Sequence, residues 1–370
     1  MHSLERALQR ILLRSITSLF SRPKIASAKI PIDAFKRILI VRQHDQLGDL
    51  LIATPAIRAV RKKFPNAFIA VVAREYTAPV LECNPYIDEV IIFYEKLWRW
   101  NLRKVISFWR SVRENRGFDC AIVLNTISRS LSSDLIALLS RAKYIVGSDH
   151  ISHDPSRPEK IYNVISQRAD GQMTEIGRNI QIARALGAEM NDFEYDLVLL
   201  DEEILQAERI FQACRINSRK PCVGVHFGAL NPSKCFPLDR LARIIDWTIE
   251  HYDVAIVLIA GPNDIEKREY LVSQLTHKVS IVPLMPLRVM AAFLRHLSLF
   301  ICNDTGTLHI ASSQRVATVS FHSLSDPAIW KPPHARHIAV RADDGLISSI
   351  TVEQVQNAVT TAVKRFDRKR

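Results

Sequence analysis

Short apolar runs recur along this chain, separated by longer stretches whose apolar residues fall three and four apart. The runs at 37–42, 67–73, 89–93, 118–124 and 143–147 are rich in Ile and Val, as strands buried on both faces of a parallel sheet should be. Helical spacing occupies 50–63, 75–83, 96–115, 129–141 and 174–187, the last closing on Gly187, a residue suited to a C-cap. After a polar connector at 188–196 the alternation restarts. Strand-like runs fall at 221–227, 254–260, 279–282, 298–302, 316–321 and 337–340, and helices at 203–214, 238–250, 264–275, 287–296 and 307–313. A last amphipathic segment, 351–366, carries Val352, Val355, Val359 and Val363 on one side. Two successive βα arrays predict two Rossmann-like domains facing across a cleft.

The length of 370 residues, with 48% hydrophobic and 24% charged positions, suits two soluble cores. Ahead of the first strand, residues 3–20 read as an amphipathic helix with Arg6, Arg10 and Arg14 opposite its apolar side. Such a helix either packs on the body or lies on anionic lipid. The net charge is +12, and the ends hold much of it. Residues 1–35 carry six basic side chains against two acidic, and 364–370 five against one, which leaves +4 for the rest. A broad nucleic-acid groove is therefore not expected. No uncharged apolar run approaches the ~20 residues of a membrane span, and no signal peptide is evident because Arg10 and Arg14 interrupt the first apolar stretch. The six cysteines form no Cys-x-x-Cys pair, so reduced thiols are expected rather than disulfides or zinc. The expected divisions are an N-terminal extension 1–35, a first domain 36–192, a second 193–345, and a helix with basic tail 346–370 packing back toward the first domain.

Candidate chemistry gathers after strands. The first strand runs into Gln43-His44-Asp45-Gln46-Leu47-Gly48-Asp49, and a strand end is where an open α/β sheet holds its ligand crevice. Asp49 there either caps the next helix or serves as a general base. In the second array, Gly228-Ala229 follow a strand and lead to Pro232, Lys234 and Pro237. A glycine lets backbone approach a ligand, and a lysine can bring charge to a phosphate. Gly261-Pro262 precede Asp264, an acid placed to cap a helix or to accept from ribose hydroxyls. The run Asn303-Asp304-Thr305-Gly306-Thr307-Leu308-His309 passes from a buried strand into a helix start, whose free N–H groups suit a pyrophosphate. Met285 forms either part of an adenine wall or a core turn. No Gly-x-x-x-x-Gly-Lys-Ser/Thr loop is present, which argues against a P-loop NTPase.

Together these segments resemble glycosyltransferase family 9, the lipopolysaccharide heptosyltransferases. The matching residues are Gly48-Asp49 with Thr54-Pro55-Ala56 and Phe64-Pro65; Gly228-Ala229 with Pro232, Lys234 and Pro237; Gly261-Pro262 with Asp264; and Asn303-Asp304-Thr305-Gly306 with His309. The chain departs from the family at Thr307, where many members have proline, and at Gln314-Arg315, which replace a common Leu-Gly. The resemblance implies a GT-B fold and inverting, metal-independent transfer of a heptose from an ADP-sugar, which is a substrate, with no cofactor. By that resemblance Asp49 is the base, beside Gln46 and Gly48 on an acceptor-side loop. Lys234 steadies the departing diphosphate. Asp304, Thr305, Gly306 and His309 look like the donor-site turn and Asp264 like a ribose contact, while Gly228, Ala229, Met285 and Thr307 are further donor-site candidates. The implied acceptor is a lipid A-core glycolipid, reached by a cytoplasmic enzyme peripheral to an anionic inner membrane.

Trp98, Trp100, Phe108 and Trp109 alternate with Arg99, Arg103, Lys104 and Arg110 in the 96–115 helix. Such a mixture suits either core packing or a membrane interface. The alternative readings of the whole chain are a GT-B transferase with another nucleotide-sugar or a protein acceptor, and a non-catalytic sugar-nucleotide-binding or membrane-associated protein.

Overall fold

The computed structural model describes residues 20–43, 46–113, 117–128, 130–148, 161–167 and 169–367. The expected amphipathic helix at 3–20 lies outside the described residues except for Phe20, and the last three residues of the basic tail also lie outside. The chain divides into two compact units, Met1–Asp196 and Leu197–Arg370.

The first unit is a six-stranded sheet of β1 (Arg37–Val41), β2 (Phe68–Arg74), β3 (Glu89–Phe93), β4 (Cys120–Val123), β5 (Tyr144–Ser148) and β6 (Val164–Ser166). All pairings are parallel, in the order β3-β2-β1-β4-β5-β6. β1, β2 and β4 are buried through their centres, which explains why they read as continuous apolar runs rather than alternating ones. The helices are α1 (Leu47–Lys63), α2 (Leu102–Arg113), α3 (Leu131–Leu139) and α4 (Glu175–Arg184). Basic Arg61, Lys62 and Lys63 end α1, where cations favour the negative helix terminus. The helix expected at 75–83 is instead a single 3-10 turn, Ala78–Leu81, since Pro79 and Pro85 deny it a helical interior. The short edge strand β6 was not expected.

Two tethers set the limits of this unit. Before β1, the Arg22 guanidinium donates to the Ala142 carbonyl at 2.8 Å and the Ile25 N–H to Asn163 at 2.8 Å, while Phe35 meets the rings of Phe64 and Tyr144. The described part of the extension thus belongs to the first unit. At the other end, buried Arg58 of α1 bonds Asp196 at 2.6 Å and the carbonyls of Asp192 and Glu194, and the Asp196 N–H reaches Thr54 Oγ1 at 3.0 Å. These bonds hold the connector to α1 as far as Asp196, so the boundary falls four residues later than the expected 192/193.

The second unit repeats the design with β7 (Cys222–His226), β8 (Ala255–Ile259), β9 (Ser280–Ile281), β10 (Leu299–Asn303), β11 (Ala317–His322) and β12 (His337–Arg341). Their order is β12-β11-β10-β7-β8-β9, again all parallel. The helices are α5 (Asp201–Ala213), α6 (Leu238–His251), α7 (Ile265–Gln274), α8 (Leu287–Leu294), α9 (Gly306–Ser313) and, after a single helical turn at Pro327–Trp330, α10 (Val352–Asp367). Each sheet reverses direction between its first and fourth strands, β1/β4 and β7/β10, the place where an open α/β sheet leaves a crevice.

Val355, Val359, Ala362 and Val363 of α10 are buried in the second unit's core, where the helix packs with α6, β11 and β12. The Tyr252 hydroxyl also donates to Thr360 at 2.8 Å. The apolar stripe finds its cover on its own sheet.

Val359→Ala should lower the urea-unfolding free energy by about 2 kcal/mol through lost burial and a small cavity, whereas truncation of exposed Leu205 should change it little. Arg315 adopts a left-handed backbone, with φ of 61°, just after α9. Arg315→Gly should therefore raise thermal stability by about 1 kcal/mol.

Candidate active site

In the second unit, the strand ends at the β7/β10 switch carry most of the expected donor residues. Asn303, the last residue of β10, holds them together. Its Nδ2 donates to the carbonyls of Phe227 at 3.0 Å and Gly228 at 3.2 Å, and its Oδ1 accepts the Phe236 N–H at 3.0 Å. A buried amide thus fixes both ends of the Gly228–Cys235 loop against β10. The loop carries Ala229 and Lys234, and the Lys234 ammonium lies 3.1 Å from Asp304 Oδ2.

Asp304 is buried, and burial alone raises a carboxyl. His322 at 3.9 Å, Lys234 and the Ser325 hydroxyl, which donates at 2.6 Å, outweigh it and hold the group below its usual value. Asp304 is therefore an anion that places the Lys234 charge beside the start of α9. There the Thr305 and Thr307 hydroxyls stand 2.9 Å apart, and Gly306 opens the helix. A helix N-terminus, two hydroxyls and an ammonium together suit a polyphosphate. His309 is buried one turn into α9, and burial pushes its ring down to about 4, so it is neutral at pH 7.

A Cβ at Gly228 would run into the Asp264 carboxylate, so a side chain there would force Asp264 to move. Asp264 precedes α7 and pairs with Lys267 at 3.1 Å, so it enters the site as half of an ion pair. Met285 lies half-buried on the β9–α8 connection, away from the β7/β10 switch in the strand order.

In the first unit, Gln46 is exposed, Gly48 buried and Asp49 half-buried at the start of α1. Asp49 Oδ2 accepts the Gln46 N–H at 3.0 Å, so the capping role is real. It does not preclude a second one. Around the strand end lies a polar cluster that sequence reasoning missed. Buried Arg42 donates to the carbonyl of Leu124, beyond β4, and approaches that of Asp49 at 3.5 Å. The Gln43 side-chain amide donates to the Ser132 and Ser133 hydroxyls at 2.9 and 3.0 Å, and the Gln43 backbone carbonyl accepts from Arg74 at 2.9 Å. Glu175 accepts from the Thr126 hydroxyl and lies 3.4 Å from Arg178, while burial pushes its carboxyl up. The available signal was a charged residue closing an otherwise apolar strand. Among the described residues, no group of three or more His, Cys, Asp or Glu is arranged to hold a metal ion, and the six cysteines are free.

Two Rossmann-like units, each with an all-parallel sheet and polar residues gathered where its strand order reverses, define an α/β architecture of the GT-B type. The sequence pattern of glycosyltransferase family 9 (heptosyltransferase) matches residues 105–356, more than half of the chain. A putative glycosyltransferase of Haemophilus influenzae is 24% identical over 336 residues, covering 86% of this chain and 93% of that protein. Lipopolysaccharide heptosyltransferase 3 of Escherichia coli is 21% identical, covering 77% and 83%. The solved structure of E. coli ADP-heptose LPS heptosyltransferase II superposes with a TM-score of 0.70 at 19% identity, covering 90% of this chain and 99% of that one. The chain belongs to glycosyltransferase family 9, the heptosyltransferase family, and is a glycosyltransferase.

The buried histidines make the second unit acid-sensitive. His226 and His309 are both pushed down to about 4 by burial, against 6.5 in an unfolded chain. Above pH 6.5 neither state is protonated and the fold keeps its full stability. Between 6.5 and 4 the unfolded chain takes up protons that the fold refuses, so stability is lost by roughly 1.4 kcal/mol per pH unit per histidine. Urea midpoints should fall from pH 7 to pH 5; an unchanged midpoint would show that these rings protonate at no cost.

Proposed function

We propose that this glycosyltransferase moves a heptose from ADP-heptose to a lipopolysaccharide inner-core acceptor, with inversion and without a metal. The observation that carries the reading is the Lys234–Asp304 pair at the threonine-rich start of α9, a ready seat for a leaving diphosphate. Its support from relatives is the heptosyltransferase family pattern and the ADP-heptose LPS enzyme that shares the fold. In the proposed step an acceptor hydroxyl oxygen attacks the anomeric carbon as the bond from that carbon to the diphosphate oxygen breaks. The hydroxyl proton passes to Asp49. ADP leaves with the bonding electrons, and Lys234 and the α9 N–H groups stabilise its growing charge. Asp264 is assigned to the donor ribose and Met285 to the base.

The proposed setting is the cytoplasmic face of the inner membrane, where a lipid A-core acceptor resides. A second reading, another nucleotide-sugar donor, is kept because the Haemophilus relative is known only as a putative glycosyltransferase.

Asn at position 49 retains an oxygen for the Gln46 N–H but cannot take a proton. Asp49→Asn should therefore keep the fold and ADP binding while transfer falls by about 10²–10⁴-fold. Lys234→Ala should weaken ADP binding and slow transfer together. The assay is ADP release from ADP-heptose with a panel of truncated core acceptors, beside calorimetry with ADP, UDP and GDP. Full activity in Asp49→Asn, or tight binding of UDP alone, would overturn the corresponding assignment.

A further inference from the structure

The segment 96–113 contains six Lys and Arg residues and no Asp or Glu. Its inward side is fixed by aromatic packing. Trp100 meets Phe93 and Phe108 edge-on at 5.8 and 5.3 Å, its indole N–H donates to the Tyr94 carbonyl at 2.6 Å, and Phe108 meets Trp109 at 5.1 Å. Phe108 and Val112 lie in the first unit's core.

The outward side is different. Trp98 is 78% exposed, Leu102 76% and Ile106 58%. Leu102 and Ile106 stand one helical turn apart on α2, and exposed Arg103, Arg110 and Arg113 border them. Lys96 lies over the Trp98 ring at 5.0 Å. The carboxylates nearest in these pairings are Glu75, joined to Arg99 at 3.0 Å, and Glu95, joined to Arg74 at 3.5 Å. An uncovered apolar ridge rimmed by cations needs an occupant that is apolar beneath and anionic at its surface. An anionic phospholipid bilayer has both properties.

We propose that the outward face of residues 96–113 docks this protein on an anionic bilayer. Trp98 sits at headgroup depth, Leu102 and Ile106 enter the acyl boundary, and Arg103, Arg110 and Arg113 meet lipid phosphates. The inference deepens the glycolipid-acceptor reading by naming the surface that brings the enzyme to such an acceptor. Vesicle binding requires no sugar donor, so the two can fail separately.

The test is co-sedimentation of the full chain with phosphatidylglycerol–phosphatidylcholine vesicles and with pure phosphatidylcholine vesicles. The wild type should bind the anionic vesicles preferentially and release at high salt. The triple variant Trp98→Ser, Leu102→Ser, Ile106→Ser should bind about tenfold more weakly or worse, with an unchanged circular dichroism spectrum and unchanged transfer to a soluble truncated acceptor. Arg103→Gln with Arg110→Gln should cost about twenty-fivefold, near fivefold for each charge. Binding should shift tryptophan emission to the blue, and Trp98→Phe should remove that shift. Equal binding of wild type and triple variant would move the adhesion to the basic chain ends and overturn the proposal. Equal binding to neutral vesicles, or none at all by the wild type, would also overturn it. Vesicle binding without transfer from ADP-heptose would sink the ADP-heptose reading and leave the docking surface standing.

Discussion

The strand-end cluster of the second unit depends on one buried amide. Asn303 offers two donors and an acceptor at the end of β10, and its bonds to Phe227, Gly228 and Phe236 engage both. A buried polar group without partners is costly, so the loop between β7 and α6 is drawn to the strand end and held there. Lys234 comes with it and meets Asp304 beside the start of α9. An apolar residue at 303 would leave two carbonyls and an N–H unpaired in the same place.

The first unit is organised differently. Arg42 spans from the end of β1 to the end of β4, and Gln43 ties the same strand end to the start of α3. Glu175, at the start of α4, closes the cluster through Thr126 and Arg178. Asp49 stands among these groups with its carboxylate also capping its own helix. The cap orients the side chain rigidly, which a positioned base requires, so the structural and chemical roles are compatible.

Much of this was readable in advance because buried parallel strands have to be apolar on both faces. Eleven of the twelve strands coincide with the expected apolar runs to within two residues at either end. The exception is the three-residue β6, too short to signal itself. Lys234, Asp304, Thr305 and Gly306 were legible as candidates because strand-end glycines, threonines and charges are rare away from turns or ligands. Arg42, Gln43 and Glu175 were not, and Asn303 was visible as part of a motif but not as the bridge between two strand ends. Each acts through partners distant in sequence, Glu175 through Thr126 and Asn303 through Phe227 and Gly228, and no local spacing encodes such pairs.

Local chemistry by itself determined the alternation of strands and helices, the reversal of polarity at strand ends, and the residue types offered there. Tertiary structure alone decided which face of the 96–113 segment is core and which is exposed, since aromatic and basic residues share that segment and only packing against Phe93 separates them. It also decided where the chain divides, because Arg58 claims Asp196 for the first unit. The home of the last helix was settled in the same way: a valine stripe specifies burial but not the surface that supplies it, and here α6, β11 and β12 do.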